Sequence, residues 1–301
     1  MSNVPSMVLL RSAGIIRHVV TLLLCTSAAA AAQERPLPDP KPFLEDVRIR
    51  LRRDETLQSG YMYVETRREL KLDKSGTATT RKVKVIESYP GLPGEERWER
   101  VISKDGRPVP AAELAKQDRE RQKKAEEYVR KLSNQTEKDR EKARREYEKY
   151  QREETEAIDE IFRVYDVRLL RREPLEGHDT IVCSLTPRPG VKPRTREGKI
   201  MQKFVATAWV SEHDRELVRV EVEATDTVSI GLGLLARVHK GTRASFQRRK
   251  VNGEVWLPAS FDYAASARVL LLKVLRVGGE SEFSAYRKFT VDTTTTYTGP
   301  K

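Results

Sequence analysis

The chain is poor in the residues from which most catalytic and metal centres are built, with 2 cysteines and 4 histidines among 301 residues. His178, His213 and His239 each fall in or beside a turn-forming stretch and lie far apart, and none sits in a pattern such as H-x-x-x-H or a cysteine-histidine cluster. There is no G-x-S-x-G elbow and no S-x-x-K. Gly231-Leu232-Gly233 lacks the third glycine and the strand-to-helix setting of a dinucleotide loop. These absences predict a non-enzyme without cofactor or metal. A hydrolase assembled from carboxylates on separate strands is the enzymatic alternative.

Long apolar runs are lacking too. A spanning helix needs roughly 20 apolar residues, and the longest candidate, Val19 to Ala32, is shorter and ends in alanines. With Arg11 and Arg17 before it and small residues from Ala28 to Ala32, residues 1–32 have the three parts of a secretory signal, with cleavage expected near Ala32. Leu24 precedes Cys25, which argues against lipid attachment there. The expected location is outside the cytoplasm, in the periplasm. Loss of the leader leaves Cys183 alone, so no intramolecular disulfide can form. Cys183 alternates with Ile181 and Leu185 in a strand-like run, the setting of a buried, inert thiol.

Charge, by contrast, is abundant: 57 Lys and Arg against 45 Asp and Glu give a net +12. In an exported chain this excludes nucleic acid and points to anionic lipid headgroups or other envelope polyanions. Residues 33–41 are a proline-rich linker. From Pro42 to about Thr56, Phe43, Leu44, Val47 and Leu51 recur at helical spacing opposite four arginines. Strands follow at Gly60–Leu72, Thr80–Tyr89 and Glu96–Ser103, separated by Gly, Pro, Asp and Ser turns, so residues 42–110 make a helix and a first meander.

Residues 111–163 contain no proline or glycine between Ala111 and Phe162 and are dominated by Glu, Lys, Arg and Gln. Ser133-Asn134-Gln135-Thr136 breaks the run, and Thr136 with Asp139 forms a capping box. A charged helical hairpin is expected in preference to one uninterrupted helix. It is a solvated arm or a surface for an envelope protein partner.

The sheet resumes over residues 164–292, followed by a tail at 293–301. Its clearest part runs from Lys199 to Phe289, where apolar and polar residues alternate and Asn252-Gly253 marks a two-residue hairpin turn. Two segments carry more apolar side chains than a one-sided sheet needs. In Val228–Leu234, Ile230, Leu232 and Leu234 share a face with only Ser or Gly opposite; Leu270–Leu275 is apolar on both faces. They either pack on the Phe43, Val47 and Leu51 face of the helix or line a cavity with Trp209, Ile230, Leu232, Leu234, Leu270, Leu272 and Val274 as its candidate ligand contacts.

Leu175-Glu176-Gly177-His178-Asp179-Thr180-Ile181-Val182-Cys183-Ser184-Leu185-Thr186-Pro187, the strand pair through Trp209-Val210-Ser211 and Leu217-Val218-Arg219-Val220-Glu221, Val255-Trp256-Leu257-Pro258, and Tyr286-Arg287-Lys288-Phe289 together resemble the LolA-like superfamily of periplasmic lipoprotein and lipid carriers. The resemblance runs from Pro42 to Asp292, and the charged insertion departs from it. It implies an α+β fold, a strongly curved antiparallel sheet or incomplete β-barrel over an N-terminal helix, with an apolar concavity for a lipid or lipoprotein acyl chain. The expected function is non-enzymatic acyl-group binding, with an envelope scaffold or sensor acting through residues 111–163 as the alternative.

Overall fold

A computed structural model describes residues 35–52, 60–91, 96–230, 236–269 and 273–288. By contact density the chain divides after Pro38. Of the first part the description covers residues 35–38, which have no regular structure. The second part contains the elements below.

Helix α1 is Pro40–Leu51. Asp39 caps it by accepting the Lys41 amide at 3.0 Å, and Pro40 occupies the first helical position, where no amide donor is required. Phe43 and Val47, four residues apart, are its buried residues. On its polar side the Arg48 guanidinium reaches Asp159 at 2.9 Å, and Arg52 pairs with the same carboxylate. The helix starts two residues before the expected Pro42, and residues 53–56 of the expected span lie outside the described residues.

Among the described residues thirteen strands form one sheet: β1 Tyr61–Leu72, β2 Ala78–Tyr89, β3 Trp98–Lys104, β4 Arg107–Pro108, β5 Tyr165–Leu175, β6 His178–Pro187, β7 Phe204–Ser211, β8 Leu217–Ala224, β9 Val228–Ile230, β10 Ala236–Val238, β11 Arg243–Val251, β12 Val255–Val269 and β13 Lys273–Lys288. Their order is β4-β3-β2-β1-β13-β12-β11-β8-β7-β6-β5, with β10 pairing β12 and β9. Each pairing is antiparallel, and the sheet is curved and open. Asn252, at a φ of 52°, and Gly253, at 71°, form the expected turn between β11 and β12, with the Glu254 amide donating to the Val251 carbonyl at 3.1 Å; Val251 pairs with Val255, so the connection has three residues and not two. Contact between β1 and β13 joins the meander before the helical insertion to the one after it.

The insertion consists of α2, Ala111–Ser133, and α3, Glu137–Val164. They are separated by Asn134–Thr136. The break is enforced by the expected capping box: the Asp139 amide donates to Thr136 Oγ1 at 3.2 Å, and the Thr136 amide donates to Asp139 Oδ2 at 3.0 Å. No residue of α2 is buried, and α3 buries Glu160 and Val164, both in its final turns. Hydration and i,i+4 pairs such as Lys142–Glu146 and Lys149–Glu153 carry the rest of the arm.

The two helices take the chain from one sheet edge, β4, to the other, β5. At the first edge β4 pairs β3 only through Ser103–Pro108 and Lys104–Arg107. Further along, Gln117 of α2 stands in for a missing strand: its amide nitrogen donates to the Val101 carbonyl at 3.0 Å and its carbonyl accepts the Val101 amide at 2.9 Å. At the second edge Glu160 accepts the Arg194 amide at 2.6 Å. It lies against Gly198 of the short helix α4, Arg196–Met201.

Two buried clusters knit the strands. One contains Val182, Trp209, Val218 and Trp256 with Leu175 against it; the other contains Tyr61, Val255 and Leu257 with Val251 and Tyr286. Cys183 is buried as its alternation implies, and burial pushes its thiol pKa up to about 12.

Candidate functional site

Register alone assembles a row of aromatic side chains across the middle of the sheet. Residues directly opposite in an antiparallel pair share a face, and alternate residues along a strand do too. Phe246 of β11 faces Phe261 of β12, which faces Ser281 of β13, which faces Arg67 of β1. One step along, Tyr263 faces Gly279 and Gly279 faces Glu69; on the other side Phe283 faces Glu65. These residues, with Tyr63, Arg97 and Pro258, line a groove of about 500 Å³. That volume lies in the range of small-molecule sites, roughly 300–1,000 Å³.

Two sets of ring contacts make the wall. The Tyr63 ring meets the edge of Phe283 at 5.4 Å and 86°, and Phe261 and Tyr263 have centroids 5.8 Å apart. Both Phe261 and Tyr263 remain 37% exposed, although the sheet has buried core within a strand or two. Gly278 and Gly279 lie inside β13, and the structure explains the second of them. A Cβ on Gly279 would come within 2.5 Å of the Tyr263 ring, so the glycine lets that ring lie across the strand.

Beneath the rings is a charged network. Glu65, 6% exposed, accepts from Arg67 through both Nε and Nη2 at 2.8 Å and from Ser281 Oγ at 2.6 Å. Arg67 also donates to Glu99 at 2.7 Å. Burial alone would raise the Glu65 pKa, but the hydrogen bonds from Arg67 and Ser281 hold it below the usual carboxylate range. The groove floor is therefore a fixed ion pair and not a proton donor at neutral pH.

Arg97 stands at one end. Its guanidinium lies 4.5 Å over the Tyr63 ring, and it donates to Ser88 Oγ at 2.9 Å and the Ser88 carbonyl at 3.1 Å. Among the described residues it has no carboxylate partner, and burial lowers its pKa. The arrangement sets aromatic faces beside the Arg97 cation, in a groove whose lining also includes Arg67, Arg68, Glu69, Glu99 and Glu280. It suits an amphiphile with an anionic head.

Of the residues expected to contact a ligand, Trp209 is packed into the cluster with Val182, Val218 and Trp256. There its indole donates to Glu173 at 3.2 Å and Arg219 lies 5.3 Å over its ring. Val274 is exposed near the start of β13. Ile230 ends β9, but its side chain, and Leu232, Leu234, Leu270 and Leu272 entirely, lie outside the described residues. Pairing of Ala236 with both Ile230 and Val269 brings the described flanks of these two apolar segments to the same end of β12.

The sequence reading missed the groove residues Tyr63, Phe246, Phe261, Tyr263 and Phe283. The signal available was Phe261-Asp262-Tyr263 beside Gly278-Gly279: paired aromatics at alternate positions beside a double glycine. Recognising it required the β12–β13 register.

Among the described residues no group of His, Cys, Asp and Glu is arranged to hold a metal, and no helix is long and apolar enough to cross a membrane. No family model matches the chain, and no curated protein matches it in sequence. Solved structures do. One described as an outer membrane lipoprotein-sorting protein domain, from Vibrio parahaemolyticus, is 12% identical with a TM-score of 0.34, covering 83% of this chain and 93% of its own. A LolA superfamily protein from Nitrosomonas europaea is 11% identical with a TM-score of 0.28, covering 85% and 99%. MucB in complex with MucA is 9% identical with a TM-score of 0.23, covering 84% and 100%.

Proposed function

We propose that this is an exported, non-enzymatic protein that holds the acyl portion of a lipid or lipoprotein against the aromatic groove, with the anionic head of that ligand at Arg97. The observation that carries the reading is the exposed pair Phe261 and Tyr263, with half-buried Tyr63, Phe246 and Phe283 beside them, around a cavity of about 500 Å³. Each buried methylene contributes roughly 0.8 kcal/mol, so half of a fatty acyl tail suffices for useful affinity.

The test is to purify the protein from its native envelope and analyse organic extracts by mass spectrometry. A co-purifying acyl lipid is expected, lost in Phe261→Asp and weakened in Arg97→Gln. If no lipid co-purifies and added lipid leaves the thermal midpoint unchanged, the reading fails.

A second reading has its own observation. Val129 and Tyr147 on the helical arm are 59% and 63% exposed, and Leu132 is exposed as well. In this reading the arm of residues 111–163 docks an envelope protein partner. Replacing Val129, Leu132 and Tyr147 with Glu should then abolish capture of a partner by the folded protein. Unchanged capture discards it.

A further inference from the structure

At the end of the sheet away from the Asn252-Gly253 turn, three arginines lie together on one face. Arg237 of β10 is directly opposite Arg268 of β12. Arg268 is opposite Val274 of β13, and Arg276, two residues further along β13, is opposite Ser266. Alternation places Arg237, Arg268, Val274 and Arg276 on the same side. All four are exposed.

Among the described residues, most of the sheet's other arginines have the carboxylate partner that this cluster omits, Arg81, Arg107 and Arg287 excepted. Arg67, Arg68, Arg100, Arg172, Arg243 and Arg248 each pair with a carboxylate. None of Arg237, Arg268 and Arg276 has such a partner among the described residues. On the same face the next positions inward are Ala264 and Gly278, and the first acids, Asp262 and Glu280, face one another two residues beyond those. Like charges directly opposite one another destabilise a sheet. The folded chain accepts that cost at an exposed position, which is the mark of a surface waiting for an external anion.

The kind of anion follows from the surroundings. Val274 is 42% exposed between the arginines. Guanidinium groups beside an aliphatic chain match the boundary of a bilayer, where phosphate heads meet acyl tails, better than they match a soluble polyanion.

We propose that Arg237, Arg268 and Arg276 dock this end of the sheet on an anionic lipid surface. The contact is distinct from the groove and does not depend on any ligand held there. The experiment is co-sedimentation of the full chain with phosphatidylcholine vesicles, with and without phosphatidylglycerol. Binding is expected only with phosphatidylglycerol present, and it should weaken as salt is raised. Each arginine should contribute about fivefold, so R237Q/R268Q/R276Q should weaken binding on the order of 100-fold.

The control R140Q/R144Q/R145Q removes the same charge from the arm and should bind as the parent does. Far-ultraviolet circular dichroism confirms that both variants are folded. Equal weakening by the two triple variants, unchanged binding by the first, or binding to soluble heparin without binding to vesicles would each overturn the proposal. Vesicle binding lost in the first variant while the acyl lipid still co-purifies separates this surface from the groove.

Discussion

The network under the groove can be tested without a ligand. Glu65→Gln removes the negative charge while keeping the shape, and leaves Arg67 and the Ser281 hydroxyl aimed at a group that can accept only at one atom. Breaking a fully buried ion pair costs roughly 3–5 kcal/mol. Here the Arg67 side chain is 37% exposed and keeps Glu99 at 2.7 Å, so solvent and the second carboxylate offset part of that. The expected loss is about 1–3 kcal/mol at pH 7. In a domain of this size each kcal/mol lowers the melting midpoint by about 2–4 °C.

The pH dependence makes the test sharper. The folded-state pKa of Glu65 is held below its unfolded value of about 4.3. Its contribution is therefore complete above that unfolded value and disappears as pH falls through the folded one. The difference between parent and Glu65→Gln, measured by urea unfolding, should be largest near neutrality and shrink at acid pH, where the parent becomes protonated as well. A difference that stays constant into the acid range, or that is only a few tenths of a kcal/mol at pH 7, would refute the ion-pair account.

Three further outcomes follow from the geometry. Gln117→Leu leaves both polar groups of Val101 without their partner at the sheet edge. It should cost about 1–3 kcal/mol in denaturant unfolding and increase self-association measured by light scattering. Gly198→Ala places a methyl group 2.4 Å from the Glu160 carboxylate, which is held by the Arg194 amide. The loss should be about 1–3 kcal/mol, whereas Gly177→Ala, where the Cβ would meet nothing within 4 Å, loses only through its positive φ of 79°. Cys183 should resist thiol reagents in the native protein and react fully on unfolding; rapid native-state labelling would contradict its burial and its raised pKa of about 12.

Much of the secondary structure was legible because it depends on neighbours in sequence. Helix α1 announces itself through Phe43 and Val47 four residues apart, the break in the arm through Thr136 and Asp139 three residues apart, and the β11–β12 hairpin through two adjacent residues. The charged arm was legible for the same reason. Its composition favours helix at nearly every position. Periodicity also identified Trp209 and the leucine-rich segments as apolar, without distinguishing core from cavity.

Local pattern therefore determined an α+β chain with a charged helical insertion and a buried thiol at Cys183. Tertiary structure alone decided that β1 would pair with β13 across more than 200 residues of intervening chain, and that the insertion would carry the chain from one sheet edge to the other. The groove depends on both decisions. Tyr63 and Glu65 come from the first meander, and Phe246, Phe261, Tyr263 and Phe283 from the last three strands of the second. The physical reason is that a strand's alternation fixes which residues share its face but carries no information about its neighbour. Only the register across β11, β12, β13 and β1 sets those aromatic rings beside one another and places Arg67 and Glu65 beneath them.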